Sequence, residues 1–316
     1  MLPSRHAAIA VLSLVLWGSP SRAVDPDKFL PPDADSLAFL NVRQATGSAL
    51  FKKYGLPLLK DAVASNPDVE NLAKAAGLDV TRDLDSVLLA TAGGVDGKLL
   101  VVARGKFDVP KVEAALADAA KNRPKELTIT KEGMATIYES TAAGRTSYAA
   151  FADARTVLAS PDRAYLAAAL KQQNTPAAAR KELAAALKQF TGKESLYLVM
   201  VVTPEVKKSL EGNDQTKELA KVLKEASATV TVADDVHIEA AATTADAASA
   251  KQLAGFVNTI KNLLPRLVKN AGNEQFLPLA EAIRKETKVA NQGNSASLSL
   301  KLSEEVIKKA LGAEAK

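Results

Sequence analysis

Two stretches of the chain are apolar almost without interruption for the length of one strand. Residues 35–42 (Asp35-Ser36-Leu37-Ala38-Phe39-Leu40-Asn41-Val42) follow the Pro31-Pro32 entry. Residues 194–201 (Glu194-Ser195-Leu196-Tyr197-Leu198-Val199-Met200-Val201) follow Gly192. Such runs suit strands buried on both faces. Both contain Ser-Leu near the start and close on Val. Helical spacing follows each run, over 45–64 and 67–76 after the first and over 204–210 and 215–226 after the second. A strand pair comes next in each case. The first joins 86–92 to 98–104 across the Gly93–Gly97 turn, and the second joins 228–232 to 236–242.

Side-chain alternation fixes the register of the second pair. Val230 and Val232 must share a face with Val236 and Ile238. A two-residue loop would set Val232 opposite His237 and mix the faces. A three-residue loop, Ala233-Asp234-Asp235, sets Val232 opposite Val236 and Val230 opposite Ile238. A helix with an Asp N-cap is expected after each hairpin: Asp108 before 109–120, with Pro110 in its first turn, and Asp246 before 247–270. Strands at 146–151 and 156–159 then lead to a Ser160-Pro161 cap and a helix over 162–172. In the second part, 295–302 alternates with Ala296, Leu298, Leu300 and Leu302 on one face, and Ser303-Glu304-Glu305 opens the last helix. Between the two parts, 175–190 reads as an Ala-rich helix with Leu183, Leu187 and Phe190 as its apolar stripe.

The order strand, helices, hairpin, helix, strands, helix therefore occurs twice. It predicts an α+β protein of two similar halves, 24–173 and 193–316, joined by a helical connector at 174–192. Each half should be an antiparallel sheet with helices mainly on one face, in an order related to the ferredoxin-like split arrangement. Several short motifs carry a resemblance. They are Leu30-Pro31-Pro32-Asp33-Ala34-Asp35-Ser36-Leu37, Asn41-Val42-Arg43, Leu50-Phe51-Lys52-Lys53-Tyr54 and Gly77-Leu78-Asp79-Val80-Thr81-Arg82-Asp83-Leu84-Asp85. Over residues 30–172 the chain resembles a family of uncharacterised exported bacterial proteins with a signal peptide and duplicated α+β halves. The resemblance implies an extracytoplasmic, periplasmic or secreted, component and assigns no catalytic residue.

The first 23 residues support export on their own. Arg5 and His6 precede the apolar run 7–17, Gly18-Ser19-Pro20 breaks it, and Ser21-Arg22-Ala23 offers a small-x-small cleavage site. That is the layout of a secretory signal peptide, and the run is shorter than the roughly 20 residues of a bilayer span. Cleavage after Ala23 would remove Arg5 and Arg22 and lower the net charge from +5 to +3. No later stretch suits a membrane span, which leaves peripheral contact as the expected form of any membrane association. Composition then narrows the chemistry. The chain has no Cys, so an exported form must be held by its core without disulfides. Alanine supplies 59 of the 316 residues, and its small side chain buries little area. Basic and acidic residues are interleaved, with no basic–aromatic patch to suggest nucleic-acid binding.

Candidate chemistry is sparse. His237 is the one histidine beyond the signal segment, and it alternates with Glu239 on the solvent side of its strand. No Gly-x-Ser-x-Gly elbow or Ser-x-x-Lys motif accompanies it. One His without Cys cannot form an ordinary zinc site. The acidic groups Asp25-Pro26-Asp27, Asp33-Ala34-Asp35 and Asp79–Asp85 lack the EF-hand pattern and suit turn and cap duty. Gly93-Gly94-Val95-Asp96-Gly97-Lys98 lacks Walker spacing and precedes a strand, so it suits a hairpin turn. Paired carboxylates for glycoside hydrolysis need not be adjacent in sequence, but the only Trp, Trp17, lies in the signal segment, leaving no Trp platform for a sugar.

The most patterned element is the helix after Asp246. Leu253, Phe256, Val257, Ile260, Leu263, Leu264, Leu267 and Val268 follow three- and four-residue spacing, with Lys261, Arg266 and Lys269 among the polar positions. This pattern suits a core helix, and a stripe left unburied would instead mark a partner or lipid surface. Pro265 should kink or divide it. The sequence nominates no catalytic, cofactor-binding or metal-ligating residue. It favours an exported, non-catalytic protein that binds a partner or ligand, or is structural in the cell envelope. The alternative is a Ser/carboxylate hydrolase without His or metal.

Overall fold

A computed structural model of the chain describes residues 24–65, 70, 73–75, 77–94, 97–133, 135–142, 144–172, 179–212 and 216–311. The expected signal peptide, part of the 67–76 helix and the start of the connector helix lie outside the described residues. The chain is mixed helix and antiparallel sheet. Among the described residues, twelve strands form one sheet in the order β11-β12-β10-β9-β8-β1-β2-β3-β7-β6-β5-β4. They are β1 (Ser36–Leu40), β2 (Leu84–Ala92), β3 (Lys98–Gly105), β4 (Leu127–Glu132), β5 (Ala135–Ala142) and β6 (Arg145–Asp153). The remainder are β7 (Thr156–Ser160), β8 (Leu196–Val201), β9 (Leu223–Val232), β10 (Asp235–Thr244), β11 (Lys288–Gln292) and β12 (Ser295–Ser303).

The described helices are α1 (Val42–Gly47), α2 (Leu56–Ala64), α3 (Val80–Asp83), α4 (Val109–Asn122), α5 (Arg163–Lys171) and α6 (Lys181–Leu187). They continue with α7 (Pro204–Glu211), α8 (Lys217–Val222), α9 (Ala247–Asn270), α10 (Leu277–Glu286) and α11 (Glu304–Ala310). Caps chosen by sequence act as expected. Asp108 accepts from the Lys111 N–H at 3.3 Å, Asp246 from the Ser249 N–H at 2.8 Å and Ser303 from the Val306 N–H at 3.5 Å. At α5 the cap is Asp162, accepting from the Tyr165 N–H. Ser160 accepts from the Asp162 N–H and donates to the Leu99 carbonyl.

The sheet is continuous because β1 pairs with β8. Leu37 faces Val199, Ala38 faces Leu198 and Phe39 faces Tyr197, all antiparallel. Tyr197 is stacked between Phe39 and Phe190, with ring centroids 4.9 and 4.6 Å apart. At one end of this seam buried Ser195 donates to the Gln44 side chain and accepts from the Val232 N–H at 2.8 Å. At the other, Asp35, also buried, accepts from the Gly93 N–H at 2.7 Å and the Ser36 hydroxyl at 3.0 Å.

Directly paired residues of an antiparallel sheet point to the same side, so the register assigns the faces. Leu37, Phe39, Leu88, Ala90, Leu100, Val102, Leu158 and Ala150 share one face. There they join Phe29 and Leu30 of the entry segment, Tyr165, Leu166 and Ala169 of α5, and Leu183, Ala186 and Leu187 of α6 in the main core. Helix α9 lies over the opposite face, beside Ala240, Ala242 and Ala296. Helices therefore cover both faces, where the sequence suggested mainly one, because the two ends of the sheet present their apolar residues to opposite sides.

Other expectations change as well. A ferredoxin-like order would set the first strand parallel to the second strand of the following hairpin. Instead β1 runs antiparallel between β2 and β8. The helix expected to reach 226 ends at Val222, since 223–225 extend β9 and Glu225 pairs with Val201 and Thr243. Pro265 does not divide α9, which runs unbroken from Ala247 to Asn270 with Pro265 on its buried side. The expected helix 45–64 is split into α1, a π turn at Phe51–Gly55 and α2. Strands β4 and β11 are outermost in the sheet, and their mostly exposed side chains give little apolar contrast to read. The three-residue β9–β10 turn forms with the expected pairing.

Tyr197→Ala should destabilise the protein by about 3–5 kcal/mol, as for other buried aromatic truncations. Leu58→Ala, on an exposed side chain of α2, should stay within about 0.5 kcal/mol. Urea unfolding of both variants tests whether the seam stack carries this weight.

Candidate functional site

Strands β9, β10 and β12 alternate small or apolar residues with polar ones, so the two sides of this part of the sheet differ in kind. Ala226, Ala228 and Val230 of β9 pair in turn with Ala242, Ala240 and Ile238 of β10. The last three face Ala296, Leu298 and Leu300 of β12. On the same side the row Ala240–Ala228 continues through Leu198 and Ala38 to Leu89. Leu253, Ala254 and Val257 of α9 form a wall. The result is a trough of about 590 Å3, within the usual size of a small-molecule site, roughly 300–1,000 Å3. Its lining contains no charged and no aromatic side chain; the hydroxyls of Ser36 and Thr91 face it, whereas Ser227 and Ser297 border it by backbone and turn their side chains to the opposite face. Eight alanines line it. Between Leu198 and Leu298, the methyl groups of Ala228 and Ala240 leave the depth that larger side chains would fill. Leu89 and Leu198 are 39% and 40% exposed, so the trough opens to solvent.

The other side of the same strands carries a polar groove of about 630 Å3. It is lined by Ser227, Thr229, Thr231, His237, Glu239, Lys288 and Ser299, with Thr191 and Glu194 at its rim. His237 faces solvent beside Glu239, as its strand alternation requires. Its Nε2 lies 2.6 Å from Asp235, whose other oxygen meets the Lys301 ammonium at 2.6 Å. The Lys301 hydrogen bond, with help from the His237 charge, holds the Asp235 carboxyl below its ordinary range against a smaller effect of burial. No hydroxyl is bonded to the His237 ring among the described residues. Ser227 donates to the side-chain Oε1 of Gln189 at 3.2 Å. The groove thus collects serines and carboxylates without joining a nucleophile to a base.

The acidic clusters are engaged within the fold. Asp27 pairs with Arg104 at 2.6 Å. Asp33 accepts from the Tyr165 hydroxyl at 3.0 Å and pairs with Lys98 at 3.1 Å. Asp79 caps α3 and accepts from Thr81, Asp83 meets Arg82, and Asp85 joins Arg43 and Arg155. These are cap, turn and ion-pair roles. The Gly93-Gly94 turn has positive φ at both residues. A Cβ on Gly94 would lie 2.7 Å from that of Ser209 in α7, so close packing as well as turn geometry calls for glycine.

Helix α9 departs from a plain core role. Ala250, Ala254 and Pro265 are buried and Val257, Leu264 and Val268 are half-buried. Phe256, Ile260, Leu263 and Leu267 remain 58%, 42%, 42% and 51% exposed. The sequence identified these positions as one apolar pattern. The structure divides them into a packed side and an open one. No helix among the described residues is long and apolar enough to cross a membrane.

Comparison with protein-family models, with curated proteins and with solved structures found no match to this chain. The trough was missed by sequence reading because alanine signals neither a site nor a strong core. Its one legible trace is the run of alanines at alternate positions, 226, 228, 240 and 242.

Beside the polar groove, burial raises the Glu225 carboxyl above its ordinary range. A carboxyl with a raised folded pKa disfavours the folded state once ionised, and the penalty vanishes below the unfolded value of about 4.3. Glu225→Gln should therefore raise the melting temperature at pH 7, and the gain should fade as pH drops through that range. A constant difference across pH 3–7 would show that ionisation is not its cause.

Proposed function

We propose that this is an exported, non-catalytic binding protein whose ligand is a flexible aliphatic chain held in the sheet trough. One observation carries the reading. The trough is open to solvent and, apart from the Met200 thioether and the hydroxyls of Ser36 and Thr91, the side chains that face it are aliphatic. Such a surface offers burial of methylenes and little that would position a polar reaction. Lacking aromatic side chains, it favours a straight chain over a stacked ring. The polar groove supports binding less well, and the separation of its serines from a base weighs against the hydrolase alternative. Export rests on the first 23 residues, and the absence of Cys accords with it.

We read the chain further as two related halves meeting at the β1–β8 seam. Strands β1, β2, β3, β7 and β6 run outward on one side, and β8, β9, β10, β12 and β11 on the other. Both series make the same succession of neighbours, which supports duplication; the β4–β5 hairpin extends the first.

Titration of the purified protein with saturated fatty acids of increasing length, by displacement of a fluorescent fatty acid, tests the reading. Affinity should rise by up to about fourfold per methylene, the equivalent of roughly 0.8 kcal/mol, until the trough is full. Ala228→Leu with Ala240→Leu should weaken binding at least tenfold while the protein remains folded. Equal binding by that double variant, or turnover of a p-nitrophenyl ester lost on substituting Ser227 or Ser299, would overturn it. N-terminal sequencing of protein recovered outside the cytoplasm should begin at Val24; a start at Met1 would refute cleavage.

A further inference from the structure

We infer that the exposed side of α9 is a docking surface for anionic lipid headgroups at a membrane face. At roughly 100° per residue, Phe256, Ile260, Leu263 and Leu267 fall within an arc of about 60°. All four are large and all are substantially exposed. The stripe adjoins the side of the helix that carries Leu253 and Val257 into the trough, but its four side chains point to solvent and line no part of it. The inference does not depend on what fills the trough.

Charge selects the occupant. From Ala247 to Asn270 the helix holds Lys251, Lys261, Arg266 and Lys269 and no acidic residue. Lys261 is turned inward, donating to the Thr287 carbonyl at 3.0 Å. Lys251, Arg266 and Lys269 are exposed; on the side away from the trough Arg266 lies about 60° past the edge of the stripe and Lys251 and Lys269 about 120° past it, and none forms an ion pair among the described residues. An apolar stripe bordered by Arg266, on a helix whose polar side carries further cations and no acidic residue, suits a helix lying on an anionic membrane surface, with hydrocarbon beneath and long basic side chains reaching for phosphate. A second copy fits less well. A symmetric contact through α9 would bring two uniformly basic helices together. Four half-exposed side chains also offer only a few hundred Å2, short of the roughly 800 Å2 per partner of a stable interface.

Cosedimentation of the purified protein with phosphatidylcholine vesicles, with and without half phosphatidylglycerol, tests this. At 0.1 M salt the protein should bind the anionic vesicles at least fivefold more tightly than neutral ones, and 0.5 M salt should remove most of the difference. Lys251→Glu with Arg266→Glu and Lys269→Glu should abolish the preference, and Phe256→Ser with Leu263→Ser should weaken binding at least fivefold. These positions are exposed, and circular dichroism should show the folded spectrum for each variant. Phe256→Trp should give emission that shifts to the blue on anionic vesicles, a shift absent from the unsubstituted protein. The trough-filled Ala228→Leu, Ala240→Leu variant should bind vesicles normally, which separates this surface from the ligand site. No binding to anionic vesicles, or equal binding by the charge-reversed variant, would overturn the inference. So would a concentration-dependent dimer that the Phe256→Ser, Leu263→Ser variant abolishes while vesicle binding persists.

Discussion

The antiparallel pairing of β1 with β8 is the contact on which the rest of the molecule depends. Among the described residues it is the only strand pairing that joins the series ending in β4 to the series ending in β11. The ladder is five residues long, and short ladders need side-chain packing to hold their register. Here the Phe39–Tyr197–Phe190 stack supplies that packing on one face. Buried Ser195 and Asp35 fix the ends by bonding to backbone N–H groups of neighbouring segments. Sliding β1 by one residue against β8 would turn Ala38 into the core and Leu37 and Phe39 out of it, away from Val199 and Tyr197. The trough row crosses the seam at that point, so the seam determines both that the sheet is continuous and that the trough has a floor.

From the seam outward the sheet changes sides. Toward β3 and β7 the buried residues pack beneath α5 and α6. Toward β10 and β12 the small apolar residues pack beside α9 on the opposite face, and the first face becomes the polar groove. Strict alternation in β9, β10 and β12 produces this, since each strand carries Ala, Val, Leu or Ile at one set of positions and mostly Ser, Thr or charged residues at the other. An alanine floor excludes water poorly by itself but leaves room above it, and the trough is the structural consequence of an alanine-rich chain with few aromatic residues. Helix α9 serves as its wall and presents a second apolar side outward, so one amphipathic element borders both the interior space and the surroundings.

Much of this was written locally. Alternation gave the β9–β10 register and its odd loop, because a slip of one residue would have mixed valines with His237. Asp108, Asp246 and Ser303 marked their helix starts, because a side-chain acceptor satisfies an N–H left free by the first turn. Edge strands β4 and β11 were hard to see because neither needs a strongly apolar face. The end of α8 was misjudged because Leu223, Lys224 and Glu225 suit a helix locally, and only pairing with β8 and β10 draws them into a strand.

The sequence by itself determined the α+β class, the capped starts of several helices, the β9–β10 register, the absence of thiol chemistry and the amphipathic pattern of α9. Tertiary structure decided how those pieces face one another. Period and capping are local properties, carried by residues a few positions apart. Which strand lies beside β1, which side of α9 is covered, and whether alternate alanines make a core or a trough depend on contacts between separate elements, within some tens of positions at α9 and more than a hundred apart where β1 meets β8. The eight trough alanines look ordinary in the chain and become a site only when Ala38 and Leu198 meet.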